Sequence, residues 1–343
     1  MPAPPSEPRA RPPWRAFAAL VIACLAAGGG YVAWAATRDG SGDDAPARRG
    51  GSPTATADPR GPTVVFQHVA RDGEYARIAL VRPGEPRRRA FTALTCERVH
   101  VAAGRGLCLV GRQGLTGPTY KALIFDARFE VRHERTVPGL LSRARISPDG
   151  RYGATTGFVS GHSYAEPGEF STLTTIIDMA RGRVVADLED FTAMRDGQRV
   201  RAADRNFWGV TFARDSDRFY ATMRSGERTW LVEGSVRGRS LRTLHENVEC
   251  PSLSPDGTRV AYKKRVEEGD VIWRLYVLDL RTMKETRLAE SRLVDDQPEW
   301  LDDGTVLYGR VDGRVWAQRA DGRGSPRLFL DNALSPAVIA PAA

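Results

Sequence analysis

Lysine is scarce in this chain: only Lys121, Lys263, Lys264 and Lys284 stand among 50 basic residues, so arginine carries nearly all of the formal charge of +8. Chains that bind nucleic acid gather their cations on one stripe. Here the arginines are scattered along the sequence, apart from short groups such as Arg87–Arg89, so they read as a solvated surface and no nucleic-acid partner is expected. Cysteine is scarce as well. The four cysteines, Cys24, Cys96, Cys108 and Cys250, show no C-x-x-C spacing, which excludes a zinc ribbon or a thioredoxin-type centre. The five histidines (68, 100, 133, 162 and 245) are isolated from one another, and H-E-x-x-H, G-x-S-x-G and P-loop patterns are all missing. Neither a cofactor nor a metal is therefore expected. No long amphipathic helix follows residue 37, which leaves an all-β domain.

What is present begins with an apolar run. Residues 1–15, with six prolines and Arg9, Arg11 and Arg15, read as a short cytoplasmic tail. "AFAALVIACLAAGGGYVAWAAT" (16–37) then runs for 22 residues without a charge, about 33 Å as a helix and long enough to cross a bilayer. Basic residues precede it and Asp39, Asp43 and Asp44 follow, so the positive-inside rule keeps the N-terminus in the cytoplasm and exports the rest. A signal-peptidase cut at "AWA" (33–35) and a lipoprotein cut at "LVIAC" (20–24) stay open as alternatives to an uncleaved anchor in the cell membrane. Residues 38–61 are rich in Gly, Ser, Pro, Ala and Asp, and read as a flexible linker.

From residue 62 onward the sequence repeats itself. "RISPDGRYGAT" (145–155), "TFARDSDRFYAT" (211–222), "SLSPDGTRVAY" (252–262) and "EWLDDGTVLYG" (299–309) share one layout, and "HVAAGRGLCLVG" (100–111) is a weaker copy. An apolar residue precedes a four-residue turn and a short apolar strand follows. Proline presets φ, aspartate tolerates the third turn position, and glycine takes the left-handed residue. The aspartate is thus a turn former. Interleaved with these are six alternating hairpins, at 76–94, 122–137, 174–188, 229–244, 274–288 and 314–330. Asp126, Asp178, Glu233 and Asp279 take equivalent places in four of them, at the spacing of four-stranded propeller blades. Five inner hairpins against six outer ones leave the first blade without its innermost strand. "ALSPAVIA" (333–340) resembles such a strand and is expected to return and close a six-bladed β-propeller.

These residues resemble the TolB-like, WD-repeat-like propellers, whose signature is an SPDG-x-x-x-A hairpin. Residues 147–150 and 254–257 match it best, and 213–216 and 301–304 are degenerate. "DRNFWGVTF" (204–212) and "NVECPSLSPDGTRVAYKKR" (247–265) are similar to exported actinobacterial members. The resemblance covers 62–343 and implies the fold, not an activity. It departs from TolB itself, since no α/β domain precedes the propeller, which argues against a Tol–Pal partnership. Relatives of prolyl oligopeptidase add a hydrolase domain of about 200 residues, and only 332–343 follow the last blade.

The expected role is binding without catalysis, by an extracytoplasmic scaffold that holds a protein or cell-envelope component. The alternative is a hydrolase- or lactonase-type enzyme with a metal or a carboxylate pair in the central channel, where Glu249, Asp295, Asp296 and Glu299 precede or join inner strands. The insertions 159–171 and 190–207, joined by the connections 112–120 and 265–272, fall on one face of the ring. His162, Tyr164, Glu166, Arg195, Arg205 and Asn206 are the expected contacts there, with Trp208 packed beneath them. Export also permits a disulfide. With Val101–Gly104 as the turn, Cys108 lies across from Arg98 and Cys96 is its diagonal neighbour about 7–8 Å away, a span that a bulge can close. Cys250, in another blade, is expected to stay free.

Overall fold

The repeated Ser-Pro-Asp-Gly turn explains how the chain is punctuated. In Ser147–Gly150 the serine hydroxyl donates to Asp149 Oδ1 at 2.7 Å, and the same carboxylate accepts the Arg151 N–H at 2.9 Å. Gly150 has φ +70° and its N–H closes on the Ser147 carbonyl at 2.8 Å. Ser254–Gly257 repeats this, with φ +74° at Gly257. Burial would raise the Asp256 carboxyl, but the Ser254 hydroxyl and the Thr258 N–H hold it down at about 2. Each such turn ends one antiparallel hairpin, and the hairpins build the ring.

A computed structural model describes residues 61–114, 117–161, 170–268 and 271–340. Six blades follow one another. The first contains β1 (Thr63–His68), β2 (Arg77–Val81) and β3 (Ala90–Thr95), and the second β4 (Arg98–Ala102), β5 (Arg105–Gly114), β6 (Gly117–Asp126) and β7 (Val131–Thr136). The third holds β8 (Leu140–Ile146), β9 (Tyr152–Ser160), β10 (Ser171–Asp178) and β11 (Arg183–Asp187). After a single 3-10 turn, Leu188–Asp190, come β12 (Thr192–Arg195) and β13 (Gln198–Arg199), then blade four with β14 (Asn206–Phe212), β15 (Arg218–Ser225), β16 (Arg228–Ser235) and β17 (Ser240–Glu246). Blade five is β18 (Glu249–Leu253), β19 (Arg259–Glu268), β20 (Val271–Asp279) and β21 (Glu285–Arg287). Blade six is β22 (Glu299–Asp302), β23 (Thr305–Arg310), β24 (Arg314–Arg319) and β25 (Arg327–Leu330). The last strand, β26 (Ala333–Ile339), pairs with β1 through Thr63↔Ile339 and Val65↔Ala337 and completes blade one. The ring thus closes as the repeat count requires, and no inner strand of blade one is left as an open edge.

The core follows from strand periodicity. Successive side chains point to opposite sheet faces, and both faces of each blade are covered by neighbours. Leu107 packs toward blade three while Cys108 packs toward blade two's other neighbour, blade one. Phe219 and Ala221 pack against blade three, and Tyr220 between them against blade five. Each of the six junctions has its own apolar cluster, so the core is distributed around the ring. A seventh cluster, Phe158, Phe170, Trp208, Cys250 and Trp273, lies across blades three to five. This ring falls within one compact unit, Pro53–Ala343. The apolar run 16–37 lies outside the described residues, among which no helix is long and apolar enough to cross a membrane.

Alternating strand direction gives the ring two different ends. Turns between the first and second strands and between the third and fourth lie on one end, the turn face. Connections between the second and third strands, and between blades, lie on the other, the loop face.

Three details differ from the sequence reading. Ala102 pairs with Arg105, so the β4–β5 turn is two residues, Ala103 and Gly104, and Cys108 lies opposite Val99 instead of Arg98. Cys96 stands on the link between blades one and two, and its Cα is 5.4 Å from that of Cys108, to which it is joined by a disulfide; Cys250 is free and buried. The residue of blade four that corresponds to Asp126, Asp178 and Asp279 is Ser235, not Glu233, because Arg218 pairs with Ser235 as Arg259 pairs with Asp279. Its hydroxyl accepts the Gly238 N–H at 2.8 Å, the turn-forming bond that the aspartates make elsewhere.

Candidate functional site

The connections expected as loops on the loop face are partly regular hairpins. β5 and β6 stay paired out to Gly114↔Gly117, and β19 and β20 to Glu268↔Val271, so blades two and five raise hairpins whose backbone groups satisfy one another. Blade three does the same as far as Ser160↔Ser171. His162, Tyr164 and Glu166 lie beyond that pair, outside the described residues.

The insertion 190–207 divides between two places. Its middle forms the hairpin β12–β13, and β12 pairs in parallel with the start of β17, which makes blade four a six-stranded sheet. Arg195 therefore stands on the outer rim, with its guanidinium 5.1 Å from the centroid of Trp230. The end of the insertion does reach the loop face. Arg205 donates to the carbonyls of Ala202 (3.2 Å), Phe191 (3.2 Å) and Glu189 (3.4 Å), which ties the linker to the 3-10 turn. Asn206 accepts the Thr172 N–H at 2.8 Å and donates to the Asp204 carbonyl at 3.1 Å, fixing blade four against blade three. Trp208 is fully buried below, edge-on to Phe170 at 5.6 Å. The first roles of Arg205 and Asn206 are thus architectural.

A cavity of about 380 Å³ opens where these pieces meet, lined by Phe170, Ser171, Asp204, Arg205, Arg224 and Glu227, among others. Asp204 accepts the Gly226 N–H at 2.6 Å and the Ser225 hydroxyl at 2.9 Å, and the Gly226 bond holds its carboxyl below the usual range. Arg224 lies over the Phe170 ring at 4.7 Å, while Glu227 is exposed. Among the described residues that line the cavity there is no histidine or cysteine. Its described lining offers charge pairing and hydrogen bonds to a polar guest.

The axial channel is crossed by a buried polar network. Arg145 of β8 pairs with Glu299 of β22, donates to the Pro298 carbonyl at 3.0 Å, and reaches Ser252 of β18 at 3.5 Å. His100 of β4 takes the Ile146 N–H on Nδ1 at 3.1 Å, and its Nε2 lies 3.0 Å from Arg145 Nη1 and 3.8 Å from Glu299. Glu299 also accepts the Val338 N–H of β26 at 3.3 Å. Gln297 adds β14, donating to the Val210 carbonyl at 3.2 Å and to Pro251 at 2.7 Å. All six inner strands are thereby joined across the axis. Burial pushes the Glu299 carboxyl up, but the Arg145 guanidinium and His100 bring it down to about 2. Burial, with Arg145 beside it, holds His100 low and neutral.

Nearer the loop face, Lys263 is wholly buried, 2.6 Å from Asp295 and 4.0 Å from the Trp273 ring centroid. Arg143 lies 3.5 Å from the same carboxylate. Glu249 accepts the Trp273 indole N–H at 2.9 Å on Oε1, while its buried Oε2 has no hydrogen-bond partner among the described residues, and burial raises its carboxyl. Among the described residues no three His, Cys, Asp or Glu side chains are grouped as a metal site. The carboxylates of the channel were legible in the sequence; the cations that meet them, Arg143, Arg145 and Lys263, were not. Their only signal is alternation, with charges at 143 and 145 in a strand whose other residues are apolar or small.

No protein-family model and no curated protein sequence matches the chain. Solved structures do. TolB from Acinetobacter baumannii is 16% identical, with a TM-score of 0.59 over 82% of this chain and 67% of that one. A chain of the nidogen/laminin complex is 10% identical, with a TM-score of 0.52 over 82% of this chain and all of that one. A puromycin-hydrolysing peptidase from Mycobacterium tuberculosis is 16% identical and matches more loosely, with a TM-score of 0.48 over 82% of this chain and 45% of that one. At these identities the likeness is one of fold: a β-propeller of the kind found in TolB.

Proposed function

We propose that this propeller is an extracytoplasmic binding module, held at the cell membrane by residues 16–37, that presents its loop face to a protein or cell-envelope component and catalyses no reaction. The observation that carries the reading is the asymmetry of the ring. The paired hairpins of blades two, three and five rise on one face only, beside the cavity at blades three and four, whereas the other face carries connections of two to eight residues. Raised segments on a rigid scaffold are where recognition is usually built. The disulfide between Cys96 and Cys108 suits an oxidising compartment.

Replacing Gln113–Pro118 by Asn-Gly and cutting 162–169 to two residues should abolish recovery of the partner in proximity labelling, with the melting temperature little changed. Unchanged partners would place the site elsewhere. A phosphatase fused after Thr37 should be active, and an inactive exported fusion would refute the topology. The enzymatic reading has one observation in its favour, the unpartnered buried oxygen of Glu249. A hydrolytic activity of the purified chain that vanishes in Glu249→Gln would install it instead.

A further inference from the structure

The fold gathers arginines that the sequence scatters. Every turn between third and fourth strands carries one: Arg87, Arg128, Arg181, Arg237, Arg281 and Arg323, one per blade and all exposed. Because each blade runs its strands in the same alternation, all six turns lie on the turn face. Together these turns (82–89, 127–130, 179–182, 236–239, 280–284 and 320–326) hold eleven basic residues against three acidic ones. Arg181 and Arg237 are paired with Asp178 and Asp217. Among the described residues no ion pair holds Arg87, Arg128, Arg281 or Arg323. The first-to-second turns on the same face (103–104, 147–151, 213–217, 254–258 and 303–304) add Arg151 and Arg214 against Asp149, Asp215, Asp217, Asp256 and Asp303, so the basic excess of this face lies in its third-to-fourth turns. On the loop face, the second-to-third connections of blades one, four and six carry Asp72, Glu74, Glu227 and Asp312 against Arg71.

Two further observations bear on what this surface meets. Apolar side chains stand among the cations: Val131, Val184, Met283 and Leu328, beside these turns in blades two, three, five and six, are 44, 46, 38 and 48% exposed. The chain also reaches the ring from this end. Thr63 pairs with Ile339, the last residue of β26, so whatever precedes β1 in sequence leaves from the turn face. Only the linker 38–61 separates β1 from the uncharged run 16–37, and a linker of that length and composition has a root-mean-square span of about 27 Å.

We propose that the turn face is a docking surface for a bilayer rich in anionic lipid, with the arginine ring on the headgroup phosphates and the interleaved apolar side chains at headgroup depth. Guanidinium groups suit phosphate oxygens because two parallel N–H donors meet two acceptors. A basic rim is drawn to an anionic leaflet within a Debye length. A soluble polyanion would satisfy the arginines but offers nothing to the apolar side chains between them, whereas the boundary between headgroups and acyl chains offers both. Docked in this way, the propeller turns its loop face away from the membrane. The proposal goes beyond the loop-face reading and stands or falls without it.

Residues 53–343 form one compact unit whose ring closes on its own strands, so they serve as the test protein. They are floated with vesicles of phosphatidylcholine alone and of phosphatidylcholine containing one third phosphatidylglycerol. Recovery is expected with the anionic vesicles only, with release in about 0.5 M NaCl as the Debye length shrinks. Arg87→Glu, Arg128→Glu, Arg281→Glu and Arg323→Glu together should lower the bound fraction at least about tenfold, while the loop-face pair Arg71→Glu and Arg112→Glu should leave it unchanged. Met283→Ser should weaken vesicle binding and leave any binding to soluble polyphosphate unaltered. Circular dichroism and the melting curve check the quadruple variant; should it unfold, the pair Arg281→Glu and Lys284→Glu gives the same comparison on a single blade. Absence of flotation, equal flotation with both vesicles, indifference to the reversals, or binding to polyphosphate but not to vesicles would each overturn the proposal.

Discussion

Replacing Glu299 by glutamine isolates the bond that crosses the channel. The native carboxylate is held at about 2 instead of an ordinary 4.5, because the Arg145 guanidinium and His100 outweigh the cost of burial. A folded-state value below the unfolded one means that this stability is fully present above pH 4.5 and is lost as the pH falls towards 2. The difference corresponds to about 3 kcal/mol near neutrality, of which about 2 is gone by pH 3. Glu299→Gln keeps the shape but not the charge, and Arg145, buried beside it, loses its counter-ion. Urea unfolding of both proteins, with the disulfide intact, should therefore show a gap of about 3 kcal/mol at pH 7 that narrows to about 1 at pH 3. Other low carboxylates, such as Asp256 and Glu285, are common to both proteins and drop out of the comparison. A gap that does not change with pH would refute the reasoning, and would mean that Glu299 acts through packing alone.

Breaking the Cys96–Cys108 disulfide by paired Cys→Ser substitution should cost about 2–4 kcal/mol, read as a lower urea midpoint relative to the oxidised protein, and a reduced wild type should fall to the same value. Gly257 has φ +74° with nothing within 4 Å of an added Cβ, so Gly257→Ala should cost only the left-handed penalty, about 1–2 kcal/mol. Gly139 also has positive φ, but its Cβ would lie 1.9 Å from the Phe158 carbonyl oxygen, so Gly139→Ala should melt markedly lower than Gly257→Ala.

How far the sequence discloses this protein depends on how local each feature is. The Ser-Pro-Asp-Gly turns carry their own geometry in four residues, so the blades and their order could be read, and counting hairpins was enough to assign β26 to blade one. The weak copy at 100–111 has no such turn, and there the register slipped by one residue: Ala103 takes φ +46° and Gly104 φ +70°, a two-residue turn that no Ser-Pro pair announces. The rim hairpin is the instructive miss. "MRDGQR" contains Asp196-Gly197, a strong two-residue hairpin signal, and both residues have positive φ. The hairpin was legible, but its docking was not, because a parallel pairing with β17 joins residues 48 apart (Thr192 with Ser240) that share no local pattern. The same limit governs both charged features of the ring. Arg145 meets Glu299 154 residues away in sequence, and the six turn-face arginines become a ring only when the blades close. In a propeller, each blade fixes its own turns by local chemistry, while the axis and the two faces are assembled from one contribution per blade. Their character therefore depends on the position that a residue type keeps within each repeat, and an arginine placed at a third-to-fourth strand turn is counted six times over on the same side of the molecule.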